Sequence, residues 1–125
     1  MSWSDNIERL TLKNKWWRKV IHTSPSLQVV VMSVPVGESL GWEKHDESDQ
    51  FFRVESGQAV LETRSTLKAK IKTEKLTNGY AAVVPVGVWH NVTNVSKSEP
   101  LQLYTIYSPP HHPPNRLDRR KPLND

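Results

Sequence analysis

The chain contains no cysteine, so it has no disulfide framework and no thiolate chemistry, and any metal it holds must be bound through nitrogen and oxygen. It has no run of apolar residues long enough to cross a membrane as a helix, and no membrane partner is expected. Helix-forming patterns are scarce. Only Ser4–Leu12, with Ser4 or Asp5 as a cap ahead of Ile7, Leu10 and Leu12, reads as a turn of helix or a loop. The opening MSWSDNIERL lacks a basic stretch followed by an apolar one and is not read as a secretory leader. The cytoplasm is therefore the expected address, and the Asn-Val-Thr and Asn-Val-Ser triplets at Asn91 and Asn94 are read as chance matches to the glycosylation sequon.

What remains is one soluble domain of 125 residues, with 36% hydrophobic and 24% charged residues and a formal charge of +4. The basic residues fall in three groups, Lys13–Lys19, Lys68–Lys75 and Arg116–Lys121. The middle group alternates, with Lys68, Lys70 and Lys72 set against Ala69, Ile71 and Thr73. This predicts a strand with a solvated basic face rather than a nucleic-acid surface.

Strand signals dominate. They fall at Trp16–Thr23, Leu27–Val34, Gln50–Glu55, Gln58–Thr63, Leu67–Leu76, Tyr80–Pro85, His90–Asn94 and Leu101–Tyr107, separated by Gly, Pro, Asn and Ser turns. Many short strands at regular spacing predict an all-β sandwich or barrel. LQVVVMSV, Leu27–Val34, is nearly apolar on both faces and should be covered on both sides. With the Trp16-Trp17 pair, it suits a sheet contact between two copies, and a homodimer is expected. The C-terminal stretch holds five prolines between Pro109 and Pro122, which cannot feed a ladder. The domain is placed at residues 1–112 and a flexible, basic, Pro-rich tail at 113–125. His111 and His112 are not read as a metal site, because neighbours on an extended segment point in different directions.

Two stretches carry the chemistry. From Gly79, five residues lead to Pro85, one to Gly87, two to His90 and three to Asn94. From Gly37, five residues lead to Glu43, then Lys44 and His45. Four more lead to Gln50, and six more to Gly57. These spacings resemble the two signatures of the cupin superfamily, with Glu43 standing where the first histidine is usual and Gln50 where a glutamate is usual. The resemblance spans most of residues 6–112. It implies a jelly-roll β-barrel, the double-stranded β-helix, and a single divalent metal ion (Zn, Fe, Mn or Ni) held by Glu43, His45, Gln50 and His90.

The residues support this reading on their own terms. Residues of equal parity share a face of a strand, so Glu43 and His45 point together, as do Gln50, Phe52 and Val54, and as do His90 and Val92. Two imidazoles, a carboxylate and an amide oxygen can then converge. The neutral amide should hold a metal less tightly than a carboxylate. Gln50 has a second reading, as an amide that hydrogen-bonds Glu43 or His45 rather than the metal. Phe52, Val54, Val92, Tyr104 and Ile106 are expected to line the cavity. Parity turns Asp49, Arg53, Trp42 and Trp89 away from it. Gly57 and Gly79 fit turns needing positive φ, and Pro85 with Gly87 shapes the turn that delivers His90.

Three functions fit. Gln, His, Glu and His also make the zinc set of phosphomannose isomerases, larger cupins, and the resemblance implies an isomerase-like, metal-dependent enzyme acting on a small polar, sugar-like molecule. No Arg/Lys pair for a phosphate is evident on cavity-facing positions. Two histidines and a carboxylate would also suit a non-haem iron dioxygenase. The third reading is a barrel that binds a small ligand without turnover.

Overall fold

The computed structural model describes residues 2–123. Met1, Asn124 and Asp125, which the domain and tail expectations include, lie outside the described residues. Among the described residues, one helix, α1 (Ile7–Lys13), precedes nine strands: β1 (Arg18–Ser24), β2 (Leu27–Val34), β3 (Asp49–Ser56), β4 (Ala59–Arg64), β5 (Lys72–Leu76), β6 (Ala81–Val84), β7 (Trp89–Asn94), β8 (Leu101–Ser108) and β9 (Leu117–Asp118). They form two antiparallel sheets, ordered β6-β3-β8-β2-β1-β9 and β5-β4-β7. The architecture is the jelly roll, with the barrel left open rather than fully closed.

The core lies between the sheets. β8 shows why the strands form: in LQLYTIYS, Leu101, Leu103, Thr105 and Tyr107 are buried, and the alternate residues are half-exposed. Phe52, Val54, Leu61, Val92 and Leu103 meet on the inner faces. Burying each such side chain contributes about 1.5–3 kcal/mol.

β2 is buried along nearly its whole length. Its second face is explained within the chain, because α1 packs across β2, β3 and β8. Trp17 is buried in the core as well, and only Trp16 of the pair is exposed.

Local chemistry corrects several element boundaries. The helix cap is Asn6, whose Oδ1 accepts from the Arg9 amide at 2.9 Å, rather than Ser4 or Asp5, and the helix runs to Lys13. The expected strand Leu67–Leu76 begins only at Lys72. Lys68 and Lys70 lie in a turn region where Thr66 accepts from the Lys68 and Ala69 amides, a hydroxyl turn that competes with the ladder. The alternation of lysines is therefore not a strand face over that stretch.

The prolines of the C-terminal stretch predict an extended segment packed on the barrel and then a flexible tail over 113–125. Within the described residues of that tail, Arg116 N–H closes a turn onto the Pro113 carbonyl at 3.1 Å, and β9 adds an edge strand to β1. Arg18 Nη1 donates to Asp118 Oδ2 at 2.6 Å, and Arg116 Nε donates to both oxygens of the same carboxylate. The prolines bring the chain back to the sheet, and the arginine–aspartate contacts fasten it there.

Candidate metal centre

Three pieces of backbone assemble the site. β3 carries Gln50 on its inner face, between the buried Phe52 and the exposed Asp49. β7 carries His90 inward. The segment from Gly37 to Ser48 is not a regular strand, but it is pinned to β7 by bridges pairing Ser39 with Thr93 and Glu43 with His90. Glu43 and His90 exchange both backbone hydrogen bonds at 2.9 Å. His45 is fixed in turn, since its carbonyl accepts from the Gly87 amide at 2.8 Å. Gly87 has φ +83°, a backbone conformation that suits glycine at the turn leading to His90.

The side chains then meet. Gln50 Oε1 lies 2.8 Å from His45 Nε2 and 3.1 Å from His90 Nε2. The other end of the amide, Nε2, donates to Thr105 Oγ1 at 3.0 Å, which sets the oxygen toward the imidazoles. His90 Nδ1 lies 3.0 Å from the Val88 carbonyl, a contact that requires a proton on Nδ1 in the neutral ring and leaves Nε2 as a lone pair. Glu43 Oε2 lies 3.6 Å from His45 Nε2, with the carboxylate one-third exposed. His45, Gln50 and His90 are 6%, 3% and 4% exposed, so the inner donors are shielded and Glu43 faces solvent.

Burial keeps both inner imidazoles below the ordinary histidine range. For His45 the Gln50 contact and Asp46 oppose that effect; for His90 the Val88 carbonyl opposes it and His45 adds to it. Neutral rings are the ligand form. Two imidazoles, an amide oxygen and a carboxylate suit a divalent first-row metal, which the His45 ring would meet by giving up the Nε2 proton it shares with Gln50. Gln50 is thus a hydrogen-bond partner of His45, the second of its two expected readings, and the same oxygen lies among the candidate ligand atoms.

The structure corrects the lining. Phe52, Val54 and Val92 do face inward, with the Phe52 ring edge-on to His90 at 6.1 Å between centroids. Tyr104 and Ile106 lie on the outer face of β8, where Tyr104 packs near Phe51 at 6.1 Å. Thr105 and Tyr107 take the inner places, the same parity as Leu101 and Leu103. Anchoring the face on those leucines identifies them.

Trp42 and Trp89, which parity turns away from the cavity and toward the barrel rim, border an open recess of about 400 Å³ together with Arg18, Glu43, Lys44, His45, His111 and His112. His111, which the sequence alone does not place at a metal site, lies beside the candidate ligands. Its ring lies 4.3 Å from that of His45 between centroids, and one ligand atom each from Glu43, His45 and His111 fall within 4.8 Å of one another.

A jelly roll whose inner faces gather histidine, amide and carboxylate donors at one end defines a cupin, and the family comparison agrees: the cupin-domain model matches residues 30–107. The chain belongs to this family. It is 44% identical over 117 residues to an uncharacterised protein of Acanthamoeba polyphaga mimivirus, covering 94% of this chain and 71% of that protein. It is 39% identical over 108 residues to the uncharacterised protein YrkC of Bacillus subtilis, covering 86% of this chain and 58% of YrkC. The crystal structure of BH2720 from Bacillus halodurans superposes with a TM-score of 0.92 at 38% identity, covering 97% of this chain and 91% of that one. No helix among the described residues is long and apolar enough to cross a membrane.

Proposed function

We propose that this cupin is a metal-dependent enzyme acting on a small polar, sugar-like molecule, with isomerase-like chemistry. The observation that carries the metal reading is the position of Gln50 Oε1 within 3.1 Å of two imidazole nitrogens, one of them in the tautomer with a free lone pair. His45, Gln50, His90 and Glu43 would hold one divalent ion. When bound, it supplies a Lewis acid that polarises a carbonyl or hydroxyl oxygen.

The chain's own residues supply the rest. Glu43 is the anionic group among the four donors and borders the recess, so its carboxylate is placed to take a proton from a substrate hydroxyl or carbon. Trp42 and Trp89 offer flat apolar walls, and Lys44, 5.8 Å from the Trp89 ring, brings a positive charge to the same mouth. Phe52 and Tyr107 back the site with apolar surface.

The test has two stages. Metal analysis of untagged protein purified without chelator should find close to one equivalent of zinc, iron, manganese or nickel. Hydroxy-aldehydes and hydroxy-ketones of sugar size should then exchange a carbon-bound proton with deuterated water, seen by NMR, in wild type but not in Glu43→Gln. Oxygen uptake in place of exchange would replace this reading with a dioxygenase. Metal and ligand binding with neither reaction would replace it with a non-catalytic binding barrel.

A further inference from the structure

We propose that the C-terminal tail supplies a ligand of its own: His111 joins the metal centre from the solvent side, delivered there by Gln28. The inference rests on the metal reading above and extends it to a residue outside both signature stretches.

The first observation is proximity. His111 shares the recess with Glu43 and His45, and donor atoms of the three lie within 4.8 Å of one another. His45 thus stands between an inner pair, Gln50 and His90, and an outer pair, Glu43 and His111. Metal–nitrogen and metal–oxygen bonds of about 2.0–2.2 Å set ligand atoms roughly 3–4 Å apart, so a small movement of the His111 side chain suffices.

The second observation is the device that puts His111 there. Gln28, on β2, is fully buried, and its side chain reaches from the sheet to the C-terminal segment. Its Oε1 accepts from the backbone amides of both His111 and His112, at 3.1 and 2.9 Å. Its Nε2 donates to the His112 carbonyl at 2.7 Å and to Thr23 Oγ1 at 2.9 Å. A buried amide with both ends committed fixes the tail's register on the barrel. Tyr107 stacks on the His111 ring, with centroids 5.1 Å apart and planes 28° apart, which sets the ring's orientation. Ser48 Oγ donates to the Pro109 carbonyl at 2.7 Å, and β9 anchors the chain beyond. An exposed histidine on a loose tail would need none of this.

The arrangement is chemically consistent. A neutral imidazole on an anchored segment is a ligand form that needs no further rearrangement of the backbone. A third imidazole offsets the weak amide ligand Gln50.

The experiment measures dissociation constants for cobalt(II), nickel(II) and zinc(II) by competition with a chromophoric chelator, and the visible spectrum of the cobalt form. His111→Ala, at an exposed position, should weaken binding by about tenfold or more and change the cobalt band intensity, while the metal-free protein keeps its melting temperature. Gln28→Ala, which leaves every donor in the chain, should weaken binding as well. Unchanged constants and spectra in both variants, with His45→Ala still abolishing binding, would overturn the role of His111 and leave the metal centre standing. Wild type that binds none of the three ions would overturn both.

Discussion

Gln50 Oε1 faces His90 Nε2 at 3.1 Å, while the other nitrogen of that ring meets the Val88 carbonyl at 3.0 Å. A neutral imidazole has one N–H, so it cannot donate to both. With the proton at Val88, an oxygen and a nitrogen lone pair point at each other across a distance that a cation bridges. On the proposed metal reading, a glutamine can stand where related signatures carry a glutamate, because the oxygen is kept and Glu43 supplies the negative charge.

Gln50→Glu should then have opposite effects on the two forms of the protein. In the metal-free form a carboxylate replaces an amide at a site only 3% exposed, and stability falls by about 1–3 kcal/mol. With metal, the added charge tightens binding by about tenfold. Denaturant unfolding with chelator, beside a metal titration, measures both. Weaker metal binding in the glutamate variant would contradict the placement of Oε1 as a ligand.

His90→Ala should lose the metal at a modest cost in fold. His90 sits at the end of the core, and Gln50 keeps its contacts to His45 and Thr105 when the ring is removed. A loss of about 1–2 kcal/mol is expected for the metal-free protein, a few degrees in melting temperature. Metal analysis of the purified variant checks the first half: occupancy equal to wild type would remove His90 from the centre.

Much of this arrangement was readable in the chain because it is written in spacing and parity. The glycine–histidine grid pointed to His45, Gln50 and His90, and the alternation in β3 and β7 turns Gln50 and His90 inward. Parity is a weaker guide where the backbone is not a strand. The irregular segment before His45 brings Trp42 to the recess that Glu43 also lines. On β8 both parities offer apolar residues, so Tyr104 and Ile106 compete with Leu101 and Leu103 for the inner face, and burial shows the leucines hold it. His111 is set aside by the sequence for a different reason. Its place depends on Gln28, 83 residues earlier, and a single buried amide clamping a Pro-rich segment leaves no periodic signal.

Gly57 sets the β3–β4 turn at φ +110°, and a Cβ there would sit 2.8 Å from the Pro100 carbonyl oxygen and 3.1 Å from the Leu101 Cα. Both neighbours are backbone and cannot rotate away. Gly57→Ala therefore combines unfavourable backbone geometry with a clash, and about 3 kcal/mol of destabilisation is expected. Gly79→Ala also has positive φ, at +84°, but meets nothing within 4 Å, so it should cost clearly less. Urea midpoints of the two variants measure the difference. An equal loss in both would mean that the contact with Pro100 carries none of it.

Acid should destabilise the metal-free protein in a defined window. Burial lowers the pKa of His45 and His90, and burial with neighbouring positive groups takes His111 to about 4 and His112 to about 3. An unfolded histidine takes its proton near 6.5, while these rings stay neutral in the fold, so the unfolded chain binds more protons as pH falls. The stability is whole above 6.5 and drains away from there down toward 4 and 3. Asp118, which burial would raise but Arg116 and Arg18 hold low, adds its loss only below its ordinary value of 3.8. Urea midpoints of chelator-treated protein should thus fall steadily from pH 7 to pH 4.5. His112→Asn, which removes the most depressed ring, should flatten the slope. A midpoint that rises or stays level over that range would mean the imidazole cluster takes up protons without cost in the folded state.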